Sequence, residues 1–247
     1  MNYVIMIAGG VGSRLGAPVP KQFVEVLGKP VIAYTMEHFQ SHPEIDAIEL
    51  VCVDGYQDHL KEIAEKYGIT KVLKIVTGGS EYERSIMNGV AGLEGIAKPD
   101  DLVIIHWSAS PFLSEEIITD NIRVCKERGN AITASYSYLL YGSNDGDCSK
   151  KAINRESFMT LAAPQSFRYE VIKDLYKQVE EKNLFEKVKE RHTNVFMEAL
   201  GIPLYFSKGS HTNIKITTKE DIDLFLGYLL AQKYKEENKE YTTKLHR

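Results

Sequence analysis

Five short apolar runs, at residues 3–7, 47–53, 72–77, 102–106 and 131–135, alternate along this 247-residue chain with stretches whose apolar side chains recur at helical spacing. Ile32, Met36 and Phe39 form one such stripe, and Leu60, Ile63, Ala64 and Tyr67 form another that stops at Gly68. Ile86, Val90 and Leu93 continue the series, as do Ile118, Ile122 and Cys125 before Gly129. Strand, helix, strand repeated in this way predicts right-handed crossovers and an α/β fold with a mostly parallel sheet covered on both faces. Ligands of such sheets bind beyond the carboxyl ends of the strands.

The first of those ends carries a glycine-rich turn, Ala8-Gly9-Gly10-Val11-Gly12-Ser13-Arg14-Leu15-Gly16, closed by Pro20-Lys21-Gln22-Phe23. Residues without a Cβ let backbone N–H groups approach anionic oxygens, so the turn reads as a phosphate site. Arg14 and Lys21 add two full positive charges. A strand-to-helix turn also needs glycine for its own geometry. The dinucleotide spacing is matched only loosely by Gly10, Gly12 and Gly16, and the P-loop ending in Gly-Lys-Ser/Thr is absent. Gly78-Gly79 and His106-Trp107 each follow another strand directly.

Beyond residue 135 the alternation breaks. Residues 136–161 start with the alternating Tyr136-Ser137-Tyr138-Leu139-Leu140-Tyr141, turn at 142–146 and return, which predicts an extended hairpin arm. An isolated hairpin is marginal in water, so the arm is expected to pack against a partner or back on its own domain. Helices follow at about 169–182 and 195–200, then a strand at 203–207. Thr217 with Glu220 gives a capping-box pattern for a last helix, whose apolar face is Ile222, Phe225, Leu226 and Leu229. The polar tail, 235–247, is expected to fray. The whole, residues 1–247, is read as a single domain bearing the 136–161 arm.

A net charge of -4 and a pI near 6.0 argue against a nucleic-acid partner, because any anion must be held by a local cluster rather than by an overall positive field. No run is long enough to span a bilayer and no leader pattern opens the chain, so no membrane partner and a cytoplasmic location are expected. Cys52, Cys125 and Cys148 stand singly and read as reduced thiols.

The glycine-rich turn with Arg14 and Pro20-Lys21-Gln22-Phe23 resembles the signature of the cytidylyltransferases acting on methylerythritol phosphate and ribitol phosphate, and the likeness runs nearly the whole length. It implies a Rossmann-like three-layer nucleotidyltransferase fold, CTP and a small phosphorylated acceptor as partners, Mg²⁺ carried in on the triphosphate, and a homodimer made through the arm. Arg14 and Lys21 match the pair that stabilises the transition state in that family. Ile7, Ala8, Gly9, Gly10 and Gly12 fall on its nucleotide loop, and Gly78, Gly79, Ser80 and Ser85 match the segment that reads cytosine. Arg155, from the arm of a neighbouring copy, and Lys215, in Asn213-Ile214-Lys215-Ile216-Thr217, match the residues that orient the acceptor phosphate. Such chemistry needs charge neutralisation and positioning rather than a nucleophilic side chain.

The departures cluster around the acceptor. Where the family carries His-Asp-Ala/Ser-Ala/Val-Arg-Pro, this chain reads His106-Trp107-Ser108-Ala109-Ser110-Pro111. Tyr82 stands for an arginine, with Arg84 two residues on, Ala163 for a threonine, and Thr193-Asn194 for Thr-Asp. Trp107, Ser108, Ser110, Thr193 and Asn194 are therefore taken as the acceptor pocket, and no metal ligand is assigned. Either the acceptor differs, or turnover is lost and nucleotide binding kept; the persistence of Arg14, Lys21, Arg155 and Lys215 favours a working enzyme. Ala8-Gly9-Gly10 and Ile86-Met87-Asn88-Gly89 look more like the ribitol phosphate branch.

Overall fold

Every residue of Asn2–Ala8 is buried, and this run forms β1, an interior strand of the sheet. The computed structural model describes residues 1–10 and 15–238. After β1 come a small hairpin, β2 (Glu25–Val26) and β3 (Lys29–Pro30), then α1 (Val31–Ser41), β4 (Ala47–Cys52), α2 (Gln57–Lys66), β5 (Val72–Thr77), α3 (Tyr82–Gly92) and β6 (Leu102–Trp107). The second half holds α4 (Glu115–Arg128), β7 (Asn130–Tyr136), the arm strands β8 (Tyr141–Gly142) and β9 (Ala152–Ile153), β10 (Met159–Arg168) and α5 (Tyr169–Glu181). It ends with α6 (Leu184–Lys187), α7 (Thr193–Ala199), β11 (Phe206–Lys208) and α8 (Lys219–Glu237).

Seven strands make one sheet in the order β11-β7-β10-β6-β1-β4-β5. All neighbours are parallel except β10, which runs antiparallel to both β6 and β7. Alternate side chains of β1 serve the two faces: Val4, Met6 and Ala8 join the core under α1, α2 and α4, whereas Tyr3, Ile5 and Ile7 join the core under α3, α5 and α7. Burial on both faces is why the strands read as continuous apolar runs. A third cluster seats α8 through Phe225 against Val26, Val31, Phe112 and Ile216. No described helix is long and apolar enough to cross a membrane.

Several expectations need correction. Residues 159–168 form a full central strand, where the arm was expected to run to 161 and no strand was expected beyond it, and it carries Pro164, which has no N–H for a ladder. Pro164 sits where the β10–β7 register shifts between Ala162 and Gln165, and its carbonyl accepts from Thr133 Oγ1 (2.8 Å) and Asn121 Nδ2 (3.1 Å). The α8 capping box is one residue later than expected, Thr218 with Asp221, because the Thr217 hydroxyl is spent on the Lys215 carbonyl (3.0 Å). The helix continues through the first residues of the tail expected to fray, to Glu237; residues 239–247 lie outside the described residues. The arm is thinly paired: beyond Tyr136↔Met159 at its base, Tyr141↔Ile153 and Gly142↔Ala152 are its pairs in register.

Gly89 lets α3 settle onto the sheet, since a Cβ there would lie 2.5 Å from Ile5 Cγ2 and 3.0 Å from Val51 Cγ2. Gly89→Ala is expected to lower stability by about 1–3 kcal/mol through overpacking. Chemical denaturation checks this: an unchanged midpoint would contradict so close a helix–sheet approach.

Candidate active site

From β1 the chain moves outward to β4 and β5, then returns to β6 on the other side of β1. The loops leaving β1 and β6 therefore diverge, and a crevice opens at the carboxyl ends of the parallel strands. A cavity of about 880 Å³ lies there. It is lined by the ends of β1, β4, β5 and β6 and by the segment before α8.

One half of the wall is mostly backbone. Ile7, Gly9, Gly10, Gly79, Ser80 and Ser85 all line the cavity. Ala8 is buried, and its carbonyl accepts from Gln22 Nε2 (2.7 Å) and the Val53 N–H (3.2 Å), which fixes the strand end. A Cβ on Gly9 would stand 3.0 Å from Ser85 Oγ, and one on Gly79 only 2.3 Å from Arg84 Cβ. Glycine is therefore required by close approach. The Ser85 hydroxyl accepts the Gly79 N–H (3.0 Å) and donates to the Glu81 carbonyl (3.1 Å), clasping the turn. Gly12 and Arg14 lie outside the described residues.

Lys21 enters from a 3₁₀ turn, Lys21–Phe23, and its ammonium donates to the Ile216 carbonyl at 2.8 Å. Ile216 in turn donates its N–H to the Ala109 carbonyl (2.8 Å), so the neighbouring Lys215 is held at the same mouth. Both lysines line the cavity. Arg155 is not brought to this cavity: it sits on an exposed 3₁₀ turn of the arm and donates to the Tyr138 carbonyl at 2.9 Å.

The other half is aromatic. Trp107, at the last position of β6, donates its indole N–H to the Tyr82 hydroxyl at 2.5 Å. The Lys215 ammonium stands 4.7 Å from the Trp107 ring and 5.5 Å from the Tyr82 ring, within cation–π range of both. Burial, then the charge of Glu83, pushes the Tyr82 phenol well above its ordinary range and keeps it neutral. Arg84 does not substitute for the missing arginine; it pairs with Glu180 (2.8 Å) and lies over the Phe185 ring.

Of the other residues expected at the acceptor, Ser108 lines the cavity, its N–H on the Ile7 carbonyl (3.1 Å) and its carbonyl accepting from Thr35 Oγ1 (2.8 Å). Ser110 does not. The turn closed by its N–H on the Trp107 carbonyl (3.0 Å) carries it inward, where it is buried and its carbonyl accepts from His106 Nε2 (3.1 Å). Thr193 and Asn194 line an adjoining recess of about 220 Å³ that shares Tyr82, Trp107 and His192 with the main cavity. The Thr193 N–H and hydroxyl donate to the buried Glu83 carboxylate (3.1 and 3.3 Å), as does the Tyr176 hydroxyl.

His192 was missed by sequence reasoning; its only signal is that it precedes Thr193-Asn194. Its Nδ1 lies 3.8 Å from Glu83, and that carboxylate raises the imidazole pKa. Among the described residues no three His, Cys, Asp or Glu side chains converge on a metal position. Asp54 and Glu81 are the carboxylates on the cavity wall, and Glu81 is paired with Arg191 at 2.8 Å.

Comparison with known proteins agrees with this geometry. The family model described as IspD, 2-C-methyl-D-erythritol 4-phosphate cytidylyltransferase, matches residues 2–230. A ribitol-5-phosphate cytidylyltransferase of Lacticaseibacillus paracasei is 39% identical over 230 residues, 93% of this chain and 98% of that protein. A 2-C-methyl-D-erythritol 4-phosphate cytidylyltransferase of Clostridium botulinum is 34% identical over 233 residues, 94% of this chain and 98% of its own. The crystal structure of 4-diphosphocytidyl-2C-methyl-D-erythritol synthase from Anaerococcus prevotii superposes with a TM-score of 0.75 at 29% identity, covering 93% of this chain and 96% of that one.

Trp107 is the single tryptophan of the chain, so its emission reports this wall alone. Tyr82→Phe removes the acceptor of the indole N–H and is expected to shift that emission, with stability falling by about 1 kcal/mol. An unaltered spectrum would mean that the contact is not made in solution.

Proposed function

The chain belongs to the 2-C-methyl-D-erythritol 4-phosphate cytidylyltransferase family, and we propose that within it this chain acts on ribitol 5-phosphate or a close polyol phosphate. It is a CTP-dependent nucleotidyltransferase that passes CMP to a polyol phosphate. The identity to the Lacticaseibacillus enzyme supports the ribitol assignment.

The observation that carries the mechanism is the stitch from Lys21 to Ile216, which sets two ammonium groups from opposite ends of the chain at one cavity mouth. An acceptor phosphomonoester carries close to two negative charges at neutral pH, so no general base is needed. One of its oxygens attacks the α-phosphorus of CTP. The bond from that phosphorus to the bridging oxygen breaks, and pyrophosphate leaves with the electron pair. Lys21 faces the triphosphate and stabilises the charge gathered in the transition state, while Lys215 orients the acceptor phosphate. The backbone of Gly78, Gly79 and Ser80, held by Ser85, receives the base. Arg14 is assigned beside Lys21 on the likeness alone.

Mg²⁺ bound to the triphosphate would supply further charge neutralisation and needs only one or two protein carboxylates, a role that Asp54 on the wall fits. The arm supports a homodimer: Tyr136, Tyr138, Leu139, Leu140 and Phe158 are all exposed on it. In such a pair Arg155 would serve the neighbouring site. CTP is made and spent inside cells, so the reading entails a cytoplasmic location.

Pyrophosphate release is expected from CTP with ribitol 5-phosphate and not from UTP, GTP or dTTP. Lys21→Ala should lower kcat by about 10²–10³-fold with the fold retained. Wild-type turnover in that variant would take Lys21 out of the chemistry.

A further inference from the structure

We infer that His192 is a second, titratable cation of the acceptor-phosphate subsite, placed with Lys215 around the Tyr82 ring. The inference rests on the assignment of the cavity to CMP transfer onto a phosphorylated polyol. His192 lines both the main cavity and the recess behind the aromatic wall, and its side chain is 55% exposed. Its ring meets Tyr82 edge-on with centroids 6.2 Å apart, while the Lys215 ammonium lies 5.5 Å from the same ring. A dianion seated against Tyr82 is thus within reach of two cationic groups from separate segments of chain.

The imidazole is prepared for this by Glu83. That carboxylate is 1% exposed, is fixed by Thr193 and Tyr176, and faces Nδ1 at 3.8 Å. With Nδ1 turned to Glu83, Nε2 makes no hydrogen bond to a described protein group and is left to donate to a ligand. The other groups around His192 do not cancel its charge. Glu190 favours the cation and Lys215 opposes it, with the Glu83 contribution the largest. Arg191 is occupied by Glu81 (2.8 Å) and Glu186 (3.8 Å), and Tyr82 and Tyr176 are held neutral by burial.

The sign of the pH dependence follows. His192 has its pKa raised, so it stays cationic to higher pH than an ordinary histidine and loses its charge above that. The ligand phosphate loses its second proton near pH 6 and is a dianion above it. His192 therefore contributes a fall in affinity on the alkaline side, against the gain from deprotonation of the ligand, and its share is the part of the pH dependence that His192→Gln removes.

The test is calorimetric titration of ribitol 5-phosphate into the full chain at about pH 6.5 and about pH 9. Wild-type affinity is expected to drop about tenfold between the two, the loss of one charge-assisted hydrogen bond. His192→Gln should bind about tenfold more weakly at the lower pH and show no alkaline drop, with CTP affinity unchanged. Glu83→Gln should move the drop to lower pH without abolishing it. Equal pH dependence in wild type and His192→Gln, or a wild type that does not bind ribitol 5-phosphate, overturns the inference. Pyrophosphate release is measured separately: a wild type that binds the acceptor with the expected pH dependence yet releases none faults the transferase reading and leaves His192 in place.

Discussion

The hydrogen bond from the Lys21 ammonium to the Ile216 carbonyl spans 195 residues of sequence and makes one site from two ends of the chain. Lysine side chains are long and costly to order, and two ammonium groups repel each other. Here one is tied to main chain, and the segment receiving it is itself tied down, through Ile216 N–H to Ala109, Asn213 Nδ2 to the Ala163 carbonyl (2.7 Å) and the Thr217 N–H to Asp221 (2.7 Å). The cluster of α8, with Phe225 and Ile216 buried together, seats that segment. The charge of the cavity is thus a property of tertiary structure, although the protein as a whole is acidic.

The aromatic wall solves a second problem. The indole and the phenol bond to each other and turn their faces to Lys215. Within cation–π range of both rings, the Lys215 ammonium is packed against that wall at the cavity mouth.

Much of the sheet was legible because its inner strands are buried on both faces and read as apolar runs, as β1, β4 and β6 do, while β5, half-exposed at the sheet edge, still shows a short apolar run. Strand β10 was hidden by Pro164, whose missing N–H is accommodated at a register shift that no local pattern announces. In the site, the glycines and Lys21 were visible because their residue types are constrained by close approach and charge. Ser110 is turned away from the cavity because a single turn rotates it into the core, whereas Thr193 lines the adjoining recess and is held there by Glu83, 110 residues away. His192 gave no signal beyond its place before Thr193-Asn194: its meaning comes from that same distant carboxylate. Arg155, on the arm, bonds to the Tyr138 carbonyl and is not brought to the cavity within this chain.

The two halves of the cavity rest on different supports. Backbone at the ends of β1 and β5, locked by Ser85 and Gln22, forms one side, where a Cβ at Gly9 or Gly79 would meet Ser85 or Arg84 at 3.0 or 2.3 Å. Side chains at the end of β6, the start of α3 and residue 192 form the other, and of these Tyr82 also packs on the core beneath α3. Each wall is therefore specified differently: one by where the main chain runs, the other by which side chains the sequence places there, tryptophan and tyrosine in this chain.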